Sequence, residues 1–159
     1  MLEAVLNRIV PDDGNGAGAA ELGLLEFIRA RLSGPRAAAV AVYVAGLADV
    51  DRRTHERYGH GFADVCPAEQ DDILSSIESE EAALPPWSRG AAFLETVLRD
   101  VREGMFGDPA YGGNRDGRGW DLLGYPDPRS VWTEADQRMD VVIIPLHPRL
   151  ARPPRKVLP

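Results

Sequence analysis

Few side chains in these 159 residues are spaced for chemistry of their own. The histidines are His55, His60 and His147. A zinc-protease helix needs a second histidine four residues on, and His55-Glu56 lacks it. Tyr58-Gly59-His60-Gly61 reads as a helix C-terminal cap followed by a turn. The single cysteine, Cys66, excludes an internal disulfide and a cysteine-based zinc site. Asp108, Asn114, Asp116 and Asp121 offer oxygen ligands, but they lack the spacing and closing bidentate glutamate of a calcium loop. The glycines from Gly112 to Gly124 do not form a dinucleotide fingerprint, which needs a strand before it and a helix after it. Glu78-Ser79-Glu80-Glu81 reads as a solvated helix end. No Ser/His/Asp set can be assembled. The chain is therefore expected to be no catalyst on its own, with no metal and no cofactor.

What stands out is one concentration of residue types between Asp108 and Pro126. Tyr111, Arg115, Arg118, Trp120 and Tyr125 lie among Gly112, Gly113, Gly117, Gly119 and Gly124, without a helical or strand period. Long irregular loops in compact domains are usually functional or disordered, and aromatic content argues for order. Three readings fit. The loop is a lid on the chain's own helices, with Trp120 filling a notch in the core. Or it docks on another protein, since Trp, Tyr and Arg are the usual hot-spot residues. Or it forms a sugar site, making the chain a stand-alone carbohydrate-binding module that uses residues 111–125.

The elements that must position this loop are helical. Leu2, Val5, Leu6 and Ile9 fall at i, i+3, i+4 and i+7, which predicts a helix over about 2–10 that Pro11 stops. A second helix is expected over 19–32, with Leu25, Ile28 and Leu32 on one stripe. A third is expected over 37–57, with Val40, Ala41, Val44, Leu47 and Ala48 facing inward. Cys66-Pro67-Ala68-Glu69 reads as a helix start, with proline at the first position and an acid on the positive end of the dipole. That helix runs to about Glu81 and ends at Leu84-Pro85-Pro86. A fifth is expected over 88–103, with Ala92, Phe93, Val97 and Val101 inward. Beyond the loop, Thr133-Glu134-Ala135-Asp136 starts a short helix and Val141–Ile144 is extended. The expected fold is thus all-α: about five helices, a long irregular glycine/aromatic loop, and an extended proline-rich C-terminal tail. Residues 1–126 form one helical domain, and 127–159 are an extension expected to wrap a partner.

Net charge is −7 and the pI is near 4.9, which disfavours a general nucleic-acid binder. One local exception is the tail, where Arg149, Arg152, Arg155 and Lys156 have no acid among them. An acidic partner surface would suit it. No run approaches the length of a membrane span, and no signal peptide is visible. Arg52-Arg53 lies mid-chain in a charged stretch. As the sequence stands it is expected in the cytoplasm. The alternative is a periplasmic or extracytoplasmic place, reached with a partner or after loss of a signal.

The run Tyr111-Gly112-Gly113-Asn114, Gly117, Gly119-Trp120, Gly124-Tyr125-Pro126, after Asp108-Pro109, resembles the small subunit (subunit 3, or gamma) of gluconate 2-dehydrogenase and related flavin-dependent sugar dehydrogenases. Arg8-Ile9-Val10-Pro11-Asp12-Asp13, Gly18–Gly23, Phe62-Ala63-Asp64 and Pro67–Gln70 are similar to that family as well. The resemblance implies a mostly helical accessory subunit. It would bind a large FAD-containing catalytic subunit of the glucose–methanol–choline type, which oxidises a sugar, sugar acid or glycoside and passes electrons to a cytochrome or other acceptor. Small subunits of this family often carry a twin-arginine signal and aid export. On this reading the partner-binding residues are Tyr111, Gly112, Gly113, Asn114, Arg115, Trp120 and Tyr125 in the loop. Arg149, Arg152, Arg155 and Lys156 serve in the tail.

Overall fold

The computed structural model describes residues 1–14, 16–90, 92–125 and 131–141, and among these every regular element is helical. The helices are α1 (Leu2–Ile9), α2 (Leu24–Leu32), α3 (Val40–Tyr58), α4 (Pro67–Ala82), α5 (Pro86–Arg89), α6 (Phe93–Phe106) and α7 (Arg118–Leu123). None of the described helices is long and apolar enough to cross a membrane. The five expected helices are present, the fifth of them divided, and α7 is additional.

Packing centres on α6, which contacts α2, α3, α4 and α7. Its Phe93, Leu94, Val97 and Val101 are buried, as the helical period requires. Val5 and Leu6 of α1, Ile28 of α2, Ile73 and Ile77 of α4, and Phe62 complete the core.

Three expectations need correction. Residues 19–23 form turns and not the start of α2. Gly23 sits at φ 71°, a left-handed conformation that a continuous right-handed helix cannot pass through. Of the stripe assigned to α3 only Leu47 packs against the core. Val40, Ala41, Val44 and Ala48 are exposed, and Tyr43, Val50 and Thr54 are buried in their place. The cause is α6: Phe93 meets Tyr43 edge-to-face at 6.2 Å and lies where a side chain on Gly46 would stand. Finally, the fifth helix is two, α5 and α6, on either side of Gly90.

Helix ends are satisfied from within the helix and, at α6, by a neighbour. The Glu69 carboxylate accepts from the Cys66 N–H at 3.0 Å. Gly59 closes α3 at φ 77°, with its N–H on His55 O. Ala92 at the start of α6 has no capping group, and Glu81 of α4 supplies one. Its two oxygens accept from the N–H groups of Leu94 and Glu95 at 2.8 and 3.0 Å. Glu81→Ala is therefore expected to cost about 1–2 kcal/mol of stability in a urea titration, since the cap orphans two donors when lost. An unchanged midpoint would contradict this.

An ionic link ties α3 to α4. Arg53 reaches Asp49 at 2.7 Å and donates to both oxygens of Glu80. Burial pushes the Asp49 carboxyl up, but hydrogen bonds from Arg52 and Arg53 outweigh it and hold it below its usual value. The bond from Arg53 likewise depresses Glu80. A depressed carboxylate stabilises the fold above its unfolded pKa and ceases to as pH falls through the folded one. Arg53→Gln should thus lower the urea midpoint at neutral pH, and the gap to wild type should close below about pH 4. The gap should be small, because both carboxylates are solvent-exposed. A gap that persists into acid would contradict the link.

Candidate protein-docking site

Residues 107–125 fold back on α6 as a clasp. After Gly107, Asp108 Oδ1 accepts from the Ala110 N–H at 2.9 Å, and Pro109–Tyr111 make a single 3₁₀ turn. The chain then presses on the α6 backbone. A Cβ on Gly113 would lie 2.4 Å from Gly104 O, and one on Gly119 would lie 1.8 Å from Met105 O. Only glycine permits either approach.

Asn114 is the hinge of the clasp. It is fully buried at φ 46°. Its Nδ2 donates to Gly107 O at 2.8 Å, and its Oδ1 accepts from the Gly119 N–H at 2.8 Å. Asparagine tolerates the left-handed region better than most residues and bonds locally there. Trp120 Nε1 donates to Phe106 O at 2.8 Å. Carbonyls at the end of α6, which have no partner within the helix, are thus answered by two loop side chains. Tyr125 completes the packing, its ring 5.3 Å from that of Trp120 at 61°. Within this mostly irregular loop, Arg118–Leu123 form the short helix α7.

The clasp also grips the turn between α1 and α2. The Arg115 N–H donates to Leu22 O at 3.3 Å, and its guanidinium lies over Gly23, 3.8 Å from Glu26. Arg118 pairs with Glu21 at 2.8 Å. The loop therefore joins segments more than ninety residues apart in sequence.

The expected site residues divide by direction. Gly113 and Asn114 are buried in the clasp, and Arg115 and Trp120 bond within the chain. Tyr111 is 76% exposed, Gly112 is exposed, and Tyr125 is 40% exposed. Two residues not singled out from the sequence join them on the outside: Leu122 and Leu123, the latter 62% exposed. The signal for them was the Leu-Leu pair at the end of a six-residue helix, too short to show a period. Arg149, Arg152, Arg155 and Lys156 lie outside the described residues. So do 142–144 of the expected extended run. Thr133–Asp136 makes a 3₁₀ turn at Ala135–Gln137, where Asp136 Oδ2 accepts from the Thr133 N–H and hydroxyl. Val131, Trp132, Met139 and Val141 of this segment are exposed.

A solvent-facing set of Tyr and Leu on a rigid clasp can bury apolar area against another surface and offer phenol hydroxyls for hydrogen bonds. A sugar site would want the amide and indole of Asn114 and Trp120, and both are engaged inside the chain. Among the described residues, no three of His, Cys, Asp and Glu gather to hold a metal.

A family model described as gluconate 2-dehydrogenase subunit 3 matches residues 1–126. Comparison with curated proteins and with solved structures gives no significant match. The matched span ends one residue beyond the described clasp, at Pro126, and takes in the seven α-helices of the described residues.

Proposed function

This chain belongs to the gluconate 2-dehydrogenase subunit 3 family, and we propose that it is the non-catalytic subunit that binds and stabilises an FAD-containing catalytic subunit. The substrate class of that partner is a sugar, sugar acid or glycoside. Its chemistry is removal of a substrate hydroxyl proton and hydride transfer to the flavin, and it lies wholly in the partner. Any cytochrome or other electron acceptor is reached through that subunit.

The observation that carries this reading is the outer face of the clasp within the family-matched span. Tyr111, Leu122, Leu123 and Tyr125 are exposed, while the groups behind them are fixed by hydrogen bonds. A surface held in place by its own chain loses little entropy on binding. The basic residues Arg149, Arg152, Arg155 and Lys156 extend the contact along the partner.

Co-expression with a glucose–methanol–choline-type flavoprotein from the same genome tests it. The two chains should elute together. Leu123→Glu should weaken the pair by about 2 kcal/mol, the size of a hot-spot loss. The isolated variant should melt as wild type does, since Leu123 is mostly exposed. A wild-type chain that elutes as a free, stable monomer beside the flavoprotein would sink the reading.

A further inference from the structure

A second face, away from the clasp, carries an exposed tryptophan and two apolar grooves. Leu84-Pro85 leads from α4 into the short α5, and Trp87 on α5 is 87% exposed. Tryptophan is enriched among interface anchors, and this one stands almost wholly in water just after two prolines. Beside Leu84 an apolar groove runs between α3 and α4, with a volume of about 200 Å³ and walls of Gly46, Ile77, Leu84 and Phe93. A second groove of about 180 Å³, between α4 and α6, is floored by Ala82, Leu94 and Leu98.

Charge says what these grooves accept. The first is rimmed by Asp49, Glu80 and Glu81, with Arg53 as its single basic residue. The second is rimmed by Glu78, Glu81 and Glu95, with no basic residue in its lining. Apolar floors inside acidic rims suit a segment that carries arginine or lysine beside aliphatic or aromatic anchors. A second copy of this face would bring like charges together. A nucleic acid is repelled for the same reason.

We propose that this face is a second docking surface, which receives a cationic segment with apolar anchors from the flavoprotein partner. The inference rests on the accessory-subunit reading and deepens it: the chain grips its partner at two places, by apolar burial at the clasp and by charge and Trp87 here. Glu78 sets the charge of the rim without a capping duty, whereas Glu81 is tied to α6 and Glu80 to Arg53.

The test measures affinity for the purified flavoprotein across a series of salt concentrations. The chains compared are wild type, Trp87→Ala, Glu78→Lys and the clasp variant Leu123→Glu. Glu78 lies in the second half of α4, where a lysine suits the helix dipole, and Trp87 is exposed, so both variants should keep the wild-type melting curve. Wild-type affinity should fall as salt rises. Glu78→Lys should bind roughly tenfold more weakly at low salt and show a flatter salt dependence. Trp87→Ala should bind at least about tenfold more weakly with the salt dependence unchanged. If Leu123→Glu alone weakens binding and the other two match wild type in affinity and salt slope, this second surface is overturned and the accessory reading stands. If wild type itself does not bind, the accessory reading and this occupant fail together.

Discussion

Replacing Asp100 with alanine is expected to destabilise the chain by about 3–5 kcal/mol, the cost of leaving a buried charge network without its centre. Asp100 is 1% exposed in α6. The Tyr43 hydroxyl donates to its Oδ2 at 2.9 Å, and Arg36 faces its Oδ1 at 3.1 Å. Burial, followed by the charge of Asp100 and the bond to it, holds the Tyr43 phenol far above its usual pKa, so it stays a donor at any working pH. One carboxylate thus ties the entry to α3 and the first turn of α3 to α6. Alanine there strands the Arg36 guanidinium and the Tyr43 hydroxyl together. Tyr43→Phe removes only one hydrogen bond and should cost about 1–2 kcal/mol. Urea titrations of both variants check the ranking. A cost below that of Tyr43→Phe would contradict a network centred on Asp100.

Gly119→Ala should cost roughly 3 kcal/mol and abolish partner binding as well, through a single methyl group. Within a helix, glycine to alanine ordinarily stabilises by up to about 1 kcal/mol. Here the sign reverses, because the new Cβ would stand 1.8 Å from Met105 O, 2.8 Å from Met105 C and 3.0 Å from Asn114 Oδ1. The first two are backbone atoms, and the Asn114 amide is held by hydrogen bonds at both its nitrogen and its oxygen. To make room, α7 must lift from α6 and break the bonds from the Gly119 N–H to Asn114 and from Trp120 Nε1 to Phe106 O. Gly90→Ala is the control: its Cβ would meet nothing within 4 Å, and its φ of −62° suits any residue. A melting temperature for Gly119→Ala equal to that of Gly90→Ala would contradict the clasp.

Local signals carried much of this fold. The spacing of Leu2, Val5, Leu6 and Ile9 and the proline-led start at Cys66-Pro67 were legible because each depends on a single turn of chain. The face of α3 was not. Its valines and alanines make a stripe of their own, but burial is decided by Phe93 and Asp100, some fifty residues further on, which select Tyr43 in place of Val44. Within the loop, the residue types announced a special structure but not its direction. That Asn114 and Trp120 turn inward follows from the carbonyls at the end of α6, whose need for donors appears only once α6 stops at Phe106. Arg115 meets Leu22 across a separation that no local pattern encodes. Trp87 passed unnoticed because the prolines before it read simply as a helix stop.

Hydrogen exchange on the free chain and on its complex with the flavoprotein tests the central claim most directly. The claim is that residues 107–125 fold as a clasp by themselves and present Tyr111, Leu122, Leu123 and Tyr125 outward to the partner. In the free chain the Gly117 and Gly119 amides, bonded to the Asn114 carbonyl and side chain, should already exchange slowly. In the complex, further slowing should appear at 110–112 and 121–125 while Gly119 changes little. Fast exchange throughout 108–125 in the free chain, or no change on that outer face in the complex, would contradict it.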